Sequence, residues 1–352
     1  MSKIKVLVVD DSLIFRKLLV KYLNANPQLE VVAEANDPFE ARDAIIKYNP
    51  DVMTLDIELP KMNGIEFLRK LMPQYPLRTI VISTLSDRVF DALKAGAVDF
   101  VAKPRVTSGK QMDEFVREEL PEKVIIASQA KLKSSYVAGR NTHPVIKSSI
   151  HADVSDMVIA IGASTGGTEA TTEVLKDFGP DLPGVIITQH MPAGFTEMYA
   201  NRLNQRFGPG ITVKEAKHGD FVRSGVVLLA PGGDSHMRLV KANDGYQVHL
   251  KHGDKVNGHC PSVDVLFNSV AEAAGDHAIG IILTGMGGDG AKGLLAMKNA
   301  GARTIGQDES TCVIYGMPRV AYELGAVEYQ EKLQDIAKRT YGLVEQMQRK
   351  FK

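Results

Sequence analysis

The stretch AIGASTGGTEATTEVL, residues 160–175, decides how the second half of the chain folds. A hydrophobic run ends in a glycine-dense turn with Ser164 at its centre, and a segment with helical periodicity follows. This order predicts a strand, a tight turn and a helix. Backbone N–H groups at the start of a helix attract either a phosphate or an oxyanion. The turn therefore suits both a phosphate-binding loop and the mount of a nucleophilic serine.

The length and composition restrict the class of protein. A chain of 352 residues is long enough for two domains with separate cores. Its 42 basic and 42 acidic residues give a formal net charge of +0, so nothing global predicts binding to nucleic acid or to a membrane surface. Cys260 and Cys312 lie far apart without C-x-x-C spacing, which favours reduced thiols. Because no apolar run suits a signal peptide or a membrane span, we expect a soluble cytoplasmic protein without membrane insertion.

The first third of the chain has the pattern of a parallel α/β sheet. In residues 4–121, amphipathic stretches alternate with the β-branched runs KVLVV, EVVAEA, DVMTLD, TIVIST and DFVAKP. We expect an N-terminal (βα)5 doubly wound domain. Residues 122–152 lose this alternation and are rich in Lys and Ser, which predicts the tail of a helix followed by a linker.

A second α/β domain is predicted over residues 153–347. The strand-like runs DMVIAIGAS, GVIITQH, GVVLLAP, AIGIILTG and ARTIGQD return there, separated by helical stretches such as 262–275 and 291–300. Asn243, Asp244 and Gly245 lie between two runs of alternating hydrophobicity, which predicts an antiparallel β-hairpin. The expected fold is a doubly wound α/β domain with an antiparallel hairpin.

Charged and polar side chains follow the predicted strands of the first domain. In doubly wound sheets, ligands bind at the carboxyl ends of the strands. The residues at these ends are Asp10, Asp11, Asp56, Ser83 and Lys103. Clustered carboxylates suit a hard divalent cation such as Mg²⁺, and a carboxylate can act as a nucleophile toward phosphorus. We therefore expect Mg²⁺ to bind at Asp10, Asp11 and Asp56, with Asp56 accepting a phosphoryl group beside the Lys103 ammonium.

Residues 4–121 resemble a response-regulator receiver domain through VDDS, TLDIELPKMNG, IST and AKP. The resemblance implies an acidic metal-binding pair, a phosphoacceptor aspartate, a hydroxyl that follows the phosphoryl group and a phosphate-binding lysine. The matching residues, in that order, are Asp10 with Asp11, Asp56, Ser83 and Lys103. It also implies a histidine kinase as phosphodonor. The stretch from residue 83 to 96 is shorter than is usual in receivers, so we expect a short helix after the fourth strand.

Three residues of the second domain form a candidate triad. Gly162 to Gly166 spell G-x-S-x-G around Ser164, the pattern of a nucleophile elbow. His190 follows the next predicted strand, and Asp289 lies in a glycine-rich loop after a later one. A lone histidine is more often structural, and an aspartate in G-D-G is commonly a turn former. Because all three follow strands of one parallel sheet, we expect them at the same edge as nucleophile, base and orienting acid.

Two other sites are less favoured. A nucleotide loop would need G-x-G-x-x-G or a Walker lysine, but Ser164 occupies the place of the second glycine and no lysine follows the turn. Zinc is suggested by a group of possible ligands, His249, His252, His259 and Cys260. The first two lie in the predicted hairpin, and no carboxylate or C-x-x-C partner recurs nearby.

Residues 153–347 resemble the catalytic domain of the chemotaxis protein-glutamate methylesterase (CheB) family. The matching motifs, in order, are GASTGGTEA, ITQHMPAGFT, LLAPGGDSHM, PSVDVLF, ILTGMGGDGAKG, QDESTCVIYGMPRVA and ELGA. The resemblance implies Ser164 as nucleophile, His190 as base and Asp289 as orienting acid. Thr168 stands where the family commonly has proline, in the first turn of the helix, where we expect only a modest effect.

The implied activity is hydrolysis of glutamate methyl esters, and deamidation of glutamines, on methyl-accepting chemoreceptors. We expect no cofactor for this hydrolase and a backbone N–H of Met286 as an oxyanion donor. The resemblance also implies how the hydrolase is regulated: the unphosphorylated receiver domain is expected to cover the sheet edge that carries Ser164. The alternative is a phosphorylation-controlled binding module without chemistry. DNA binding is disfavoured by the neutral charge and the lack of a helix-turn-helix pattern, and a non-catalytic adaptor predicts loss of triad residues that are all present.

Overall fold

The computed structural model describes residues 2–84, 86–104, 109–132, 154–208 and 210–351. The chain divides into two compact units, Met1–Arg140 and Asn141–Lys352. Most of the predicted linker, residues 133–152, lies outside the described residues. Within the described ranges, no helix is both long and apolar enough to cross a membrane.

The first unit alternates strands and helices. Its strands are β1 (Ile4–Val9), β2 (Leu29–Ala35), β3 (Val52–Asp56), β4 (Arg78–Ser83) and β5 (Asp99–Ala102). Its helices are α1 (Leu13–Ala25), α2 (Pro38–Tyr48), α3 (Gly64–Leu71), α4 (Arg88–Lys94), α5 (Gly109–Glu114) and α6 (Leu120–Ser128), the last two joined by a π-helical turn at Phe115–Glu119. The strand order β2-β1-β3-β4-β5 and the parallel pairing confirm the predicted doubly wound sheet.

Local sequence explains where these helices begin. Asp37 precedes Pro38, and its Oδ1 accepts the backbone N–H groups of Phe39 at 2.7 Å and Glu40 at 3.0 Å. Proline suits the first turn of a helix, and an N-cap carboxylate satisfies N–H groups that otherwise lack partners.

Helix α4, after the fourth strand, is only 7 residues long, in line with the short segment predicted there.

Helix α6 continues the first unit beyond residue 121. Lys123 Nζ donates to Asp99 Oδ2 at 2.6 Å, and Arg78 Nε donates to the carbonyl of Ala130 at 2.9 Å. The predicted helix tail therefore extends to Ser128 and packs on the end of the sheet.

The second unit contains ten strands and six α-helices among the described residues. The strands are β6 (Val158–Ala163), β7 (Gly184–Gln189), β8 (Thr212–Glu215), β9 (Phe221–Val222), β10 (Val226–Leu229), β11 (Ser235–Ala242), β12 (Gly245–His252), β13 (Ala278–Ile282), β14 (Arg303–Gln307) and β15 (Tyr329–Glu331). The helices are α7 (Gly167–Leu175), α8 (Phe195–Phe207), α9 (Val263–Ala274), α10 (Ala291–Asn299), α11 (Met317–Glu323) and α12 (Ile336–Phe351).

Seven strands of this unit form a parallel sheet in the order β15-β14-β13-β6-β7-β10-β8. Every residue of the central strands β6, β7 and β13 is buried, as expected for a sheet covered on both faces. The predicted hairpin is the antiparallel pair β11 and β12, in which Ala242 pairs with Gly245. Strands β8, β9 and β15 were not predicted, because runs of two to four residues carry little periodicity.

Candidate phosphoacceptor and hydrolase sites

The five polar residues predicted at the edge of the first sheet lie at the carboxyl ends of its strands. Asp56 and Ser83 are the last residues of β3 and β4, and Asp10 directly follows β1. Asp10 and Asp56 are buried, whereas Asp11 is exposed. Lys103 follows β5, and its Nζ lies 3.0 Å from Asp10 Oδ2 and 2.9 Å from Asp56 Oδ2. The backbone N–H of Lys103 donates to the Ser83 carbonyl at 2.6 Å, so Ser83 and Lys103 are neighbours at this edge.

The carboxylates of this site fit a divalent cation. Ligand atoms of Asp10, Asp11 and Asp56 lie within 4.8 Å of one another. Burial, opposed by the Lys103 charge, raises the pKa of Asp10 to about 6. Burial acts to lower the pKa of Lys103, but hydrogen bonds and charge from Asp56 and Asp10 together outweigh it and raise that pKa. The site thus combines three carboxylates with one ammonium, and oxygen ligands with excess negative charge are what Mg²⁺ prefers.

Gly64 allows the loop after Asp56 to close tightly. The Gly64 N–H donates to the Ile57 carbonyl at 2.9 Å. A Cβ at Gly64 would lie 2.3 Å from the backbone oxygen of Asp56, a distance that no side chain can tolerate. The glycine of the TLDIELPKMNG motif therefore permits the start of α3 to contact the carbonyl of the predicted phosphoacceptor.

Ser164 lies in the turn between β6 and α7. Its N–H donates to the Thr284 carbonyl at 3.0 Å, and its carbonyl accepts the Gly167 N–H at 2.7 Å. Gly166 has φ +77°, a conformation that favours glycine, so one glycine of the G-x-S-x-G pattern shapes the turn. The sharp strand-to-helix turn expected of a nucleophile elbow is present, with Ser164 only 9% exposed.

His190 lies beside this turn at the end of β7. The backbone N–H of His190 donates to the carbonyl of Ala163, the residue before Ser164, at 3.0 Å. Its Nε2 lies 2.8 Å from Asp289 Oδ2, while its buried Nδ1 has no hydrogen-bond partner in the described part of the chain. Because Asp289 is an acceptor when ionised, Nε2 carries the proton and Nδ1 is left as an acceptor. The structure thus joins the predicted base to the predicted acid and leaves the other ring nitrogen available.

Asp289 is buried yet surrounded by donors. Its Oδ2 accepts the N–H of Val263 at 2.7 Å in addition to His190, and its Oδ1 accepts the N–H of Asp264 at 3.1 Å and the Ser262 hydroxyl at 2.7 Å. Ser262 is the N-cap of α9, so the carboxylate sits at a helix N-terminus. Burial opposes ionisation, but the hydrogen bond and charge of His190, followed by the hydrogen bonds from Asn257 and Ser262, hold the pKa of Asp289 well below its usual range.

Met286 lies in the glycine-rich loop that adjoins Ser164. The Gly285 carbonyl accepts the N–H groups of Gly316 at 3.1 Å and Met317 at 2.8 Å, which anchors the loop. A Cβ at Gly285 would lie 2.7 Å from the Ser164 Cβ, so the backbone just before Met286 packs directly on the serine. A cleft of about 240 Å³ lies beside this loop and includes Met286, His259 and Asp289 in its lining.

Several contacts of the triad could not be read from the sequence. They involve Asn257, Ser262 and Asp264, which touch Asp289, and His259, whose ring stacks on His190 at 3.7 Å between centroids. Two signals were available: Ser262 is a candidate helix N-cap before a hydrophobic run, and Ser262 and Asp264 belong to the motif PSVDVLF.

The zinc alternative gains no support. His249 stacks on His218 and His252 pairs with Asp234, while His259 stacks on His190. Among the described residues, the one cluster of three metal-ligating side chains is Asp10, Asp11 and Asp56.

Comparison with known proteins assigns both units to families. A family model described as CheB methylesterase matches residues 159–340, and one described as response regulator receiver domain matches residues 6–112. The chain is similar to the protein-glutamate methylesterase/protein-glutamine glutaminase 2 of Syntrophomonas wolfei, with 57% identity over 99% of each chain. It is 48% identical to the protein-glutamate methylesterase/protein-glutamine glutaminase of Syntrophotalea carbinolica, over 97% of this chain and 98% of the relative.

A solved structure resembles the second unit. The crystal structure of the Thermotoga maritima CheB methylesterase catalytic domain aligns with a TM-score of 0.51 and 36% identity, covering 53% of this chain and 98% of that one. The family-model match and the full-length relatives agree with this likeness in fold. The chain belongs to the CheB methylesterase family and carries a response-regulator receiver domain ahead of its methylesterase domain.

Proposed function

We propose that this protein is a phosphorylation-activated serine hydrolase that demethylates glutamate methyl esters, and deamidates glutamines, on chemoreceptors. The names of its full-length relatives supply the two reactions. The observation that carries the proposal is the state of His190. Its Nε2 is held by Asp289, and its Nδ1 is buried beside the Ser164 turn with no hydrogen-bond partner among the described residues.

Ser164 is the proposed nucleophile. His190 Nδ1 accepts the proton of the Ser164 hydroxyl as its oxygen attacks the ester carbonyl, and the resulting imidazolium is stabilised by the Asp289 carboxylate. The imidazolium then protonates departing methanol. Water, deprotonated by the same His190, hydrolyses the acyl-enzyme and releases the receptor glutamate. A glutamine amide follows the same course with ammonia as the leaving group.

Asp289 suits the role of orienting acid because it stays ionised in a buried place. Its hydrogen bonds from the N-terminus of α9 stabilise the carboxylate without neutralising it. A fixed charge at this position selects the tautomer of His190 that has Nε2 protonated. Backbone N–H groups near Ser164, among them that of Met286, would stabilise the oxyanion.

The receiver domain supplies the proposed control. Asp10, Asp11 and Asp56 would hold Mg²⁺, which offsets negative charge on the phosphoryl group. Asp56 would accept that group from a histidine kinase, Lys103 would pair with a phosphoryl oxygen, and the Ser83 hydroxyl would contact it after transfer. Lys103 Nζ donates hydrogen bonds to two of the carboxylates that a cation would bind, Asp10 and Asp56.

The test of the hydrolase is Ser164→Ala in the full chain, assayed by methanol release from methylated chemoreceptor membranes with phosphodonor. We expect release to fall at least about a thousandfold, because a triad without its nucleophile retains little activity. Ser310→Ala, a change of the same kind at an exposed serine, should leave the rate unchanged. A folded Ser164→Ala variant with the wild-type rate would refute the assignment.

A further inference from the structure

A short turn before α9 contacts both the acid and the base of the site. Val256 and His259 exchange backbone hydrogen bonds, each of 3.0 Å, around the residues Asn257 and Gly258. Both central residues have positive φ, +53° and +83°, as a type I′ turn requires. Asn-Gly is the pair that this turn prefers, so the backbone accounts for the residue types without assigning a task to the Asn257 side chain.

The Asn257 amide bridges two carboxylates. Its Nδ2 lies 2.8 Å from Asp289 Oδ1 and 2.7 Å from Asp264 Oδ2. An amide nitrogen carries two hydrogens and ionised carboxylates only accept, so one hydrogen points at each. Asp264 is itself held by the Gly293 N–H at 2.6 Å. Because both carboxylates are buried and repel each other, the amide between them limits how Asp289 can turn.

We propose that Asn257 is a positioning residue for the catalytic pair: its amide ties Asp289 to Asp264 and holds the Asp289 carboxylate in the orientation that accepts the His190 Nε2–H. The inference rests on the proposed function. His259, from the same turn, stacks on the His190 ring with an interplanar angle of 17°. One turn therefore restrains the acid through an amide and the base through a ring.

Two substitutions separate this role from that of a turn former. Asn257 is exposed overall, so replacing it opens no cavity in the core. Asn257→Gly removes the amide, and glycine adopts positive φ without strain. Asn257→Asp keeps the shape, but at neutral pH it replaces the donor with a third carboxylate. Val256→Ala, at an exposed position in the same turn, is the matched control.

The experiment measures methanol release from methylated chemoreceptors by the full chain, with saturating phosphodonor, as a function of pH. We expect Asn257→Gly to lower kcat about tenfold with KM almost unchanged, the size of losing one hydrogen bond to a charged group. Asn257→Asp should lower kcat further and move the acid limb of the profile to higher pH, because an added negative charge favours protonated His190. Val256→Ala should match the wild type.

Wild-type kcat in Asn257→Gly would overturn the inference, since the residue would then serve only the turn. An unmoved acid limb in Asn257→Asp would overturn it as well. Labelling of Ser164 by an organophosphonate in the same samples distinguishes failure of the proposed hydrolase function from failure of the role inferred for Asn257. If the wild type is neither labelled nor releases methanol, the proposed function fails and this inference with it. If the wild type is active and the Asn257 variants behave like it, only this inference fails.

Discussion

At the scale of single residues, the proposed hydrolase site depends on the negative charge of a buried carboxylate, that of Asp289. The Asp289 side chain is 1% exposed, yet it accepts hydrogen bonds from two backbone N–H groups of α9 as well as from His190. Removing a carboxylate from water is unfavourable unless such donors replace the water. His190 and the N–H groups at the start of α9 together replace that water, so the buried Asp289 carboxylate stays ionised.

The lowered pKa of Asp289 predicts a pH dependence of stability. A carboxyl with a folded-state pKa below its unfolded value stabilises the fold above the unfolded pKa, near 4, and this contribution is lost as the pH falls toward the folded value. We therefore expect the stability difference between the wild type and Asp289→Asn to shrink from pH 5 to pH 3. Urea midpoints followed by circular dichroism at each pH measure it.

The control for this prediction is Asp244→Asn, in the exposed turn of the hairpin. It should show the same loss of stability with acid as the wild type. A difference between the wild type and Asp289→Asn that stays constant, or grows on acidification, would contradict the prediction.

At the scale of elements, the starts of two helices shape the two sites. Helix α3 begins at Gly64, against the Asp56 carbonyl, and α9 begins at Val263, against the Asp289 carboxylate. In both places a helix N-terminus contacts a residue at the carboxyl edge of a parallel sheet, which is where α/β proteins bind ligands. In both helices the contact with the site residue is made at the start of the helix.

The close approach at Gly64 predicts a steric effect. Gly64→Ala would place a methyl group 2.3 Å from the Asp56 backbone oxygen, and backbone cannot move aside cheaply. We expect the receiver unit to lose about 1–3 kcal/mol of stability, as overpacking typically costs, and phosphorylation of Asp56 to slow. Urea unfolding and incorporation of radioactive phosphate from a small phosphodonor measure the two effects.

Gly342 in α12 provides the matched control. A Cβ there meets nothing within 4 Å, so Gly342→Ala should be neutral or stabilise the chain by up to about 1 kcal/mol through helix propensity. Equal effects of the two substitutions would show that the contact at Gly64 is not the cause.

At the scale of the whole molecule, the proposed function places the two chemistries in different units. Phosphoryl transfer is assigned to the sheet edge of the first unit, and ester hydrolysis to that of the second. A change in the receiver should therefore alter the regulation of hydrolysis without abolishing it. Loss of regulation with hydrolysis retained would distinguish an activated enzyme from two unrelated activities on one chain.

Asp56→Asn tests this coupling. The variant should keep the unstimulated rate of methanol release and lose the increase that Mg²⁺ and a phosphodonor produce in the wild type, because an amide cannot form the acyl phosphate. Glu66→Gln, at an exposed carboxylate that pairs with Lys70 on the surface, should respond like the wild type. Full activation of Asp56→Asn would show that another event, not phosphorylation of Asp56, controls the hydrolase.

The sequence by itself determined the fold class and proposed the site residues. Alternating runs predicted both parallel sheets, and the rule that function collects at strand ends pointed to Asp56, Ser164, His190 and Asp289. The inference of the fold succeeds because hydrophobic periodicity is a local property of the chain. The family motifs placed the same residues in order.

Only the tertiary structure decided which atoms meet. It pairs Asp289 with His190 Nε2 and not Nδ1, brings Asn257 to Asp264 and Asp289, and explains Gly64 by the Asp56 carbonyl. Short strands such as β15 likewise form only because a neighbouring strand supplies their hydrogen bonds. Each of these depends on contacts between residues distant in sequence, whose geometry no local pattern encodes.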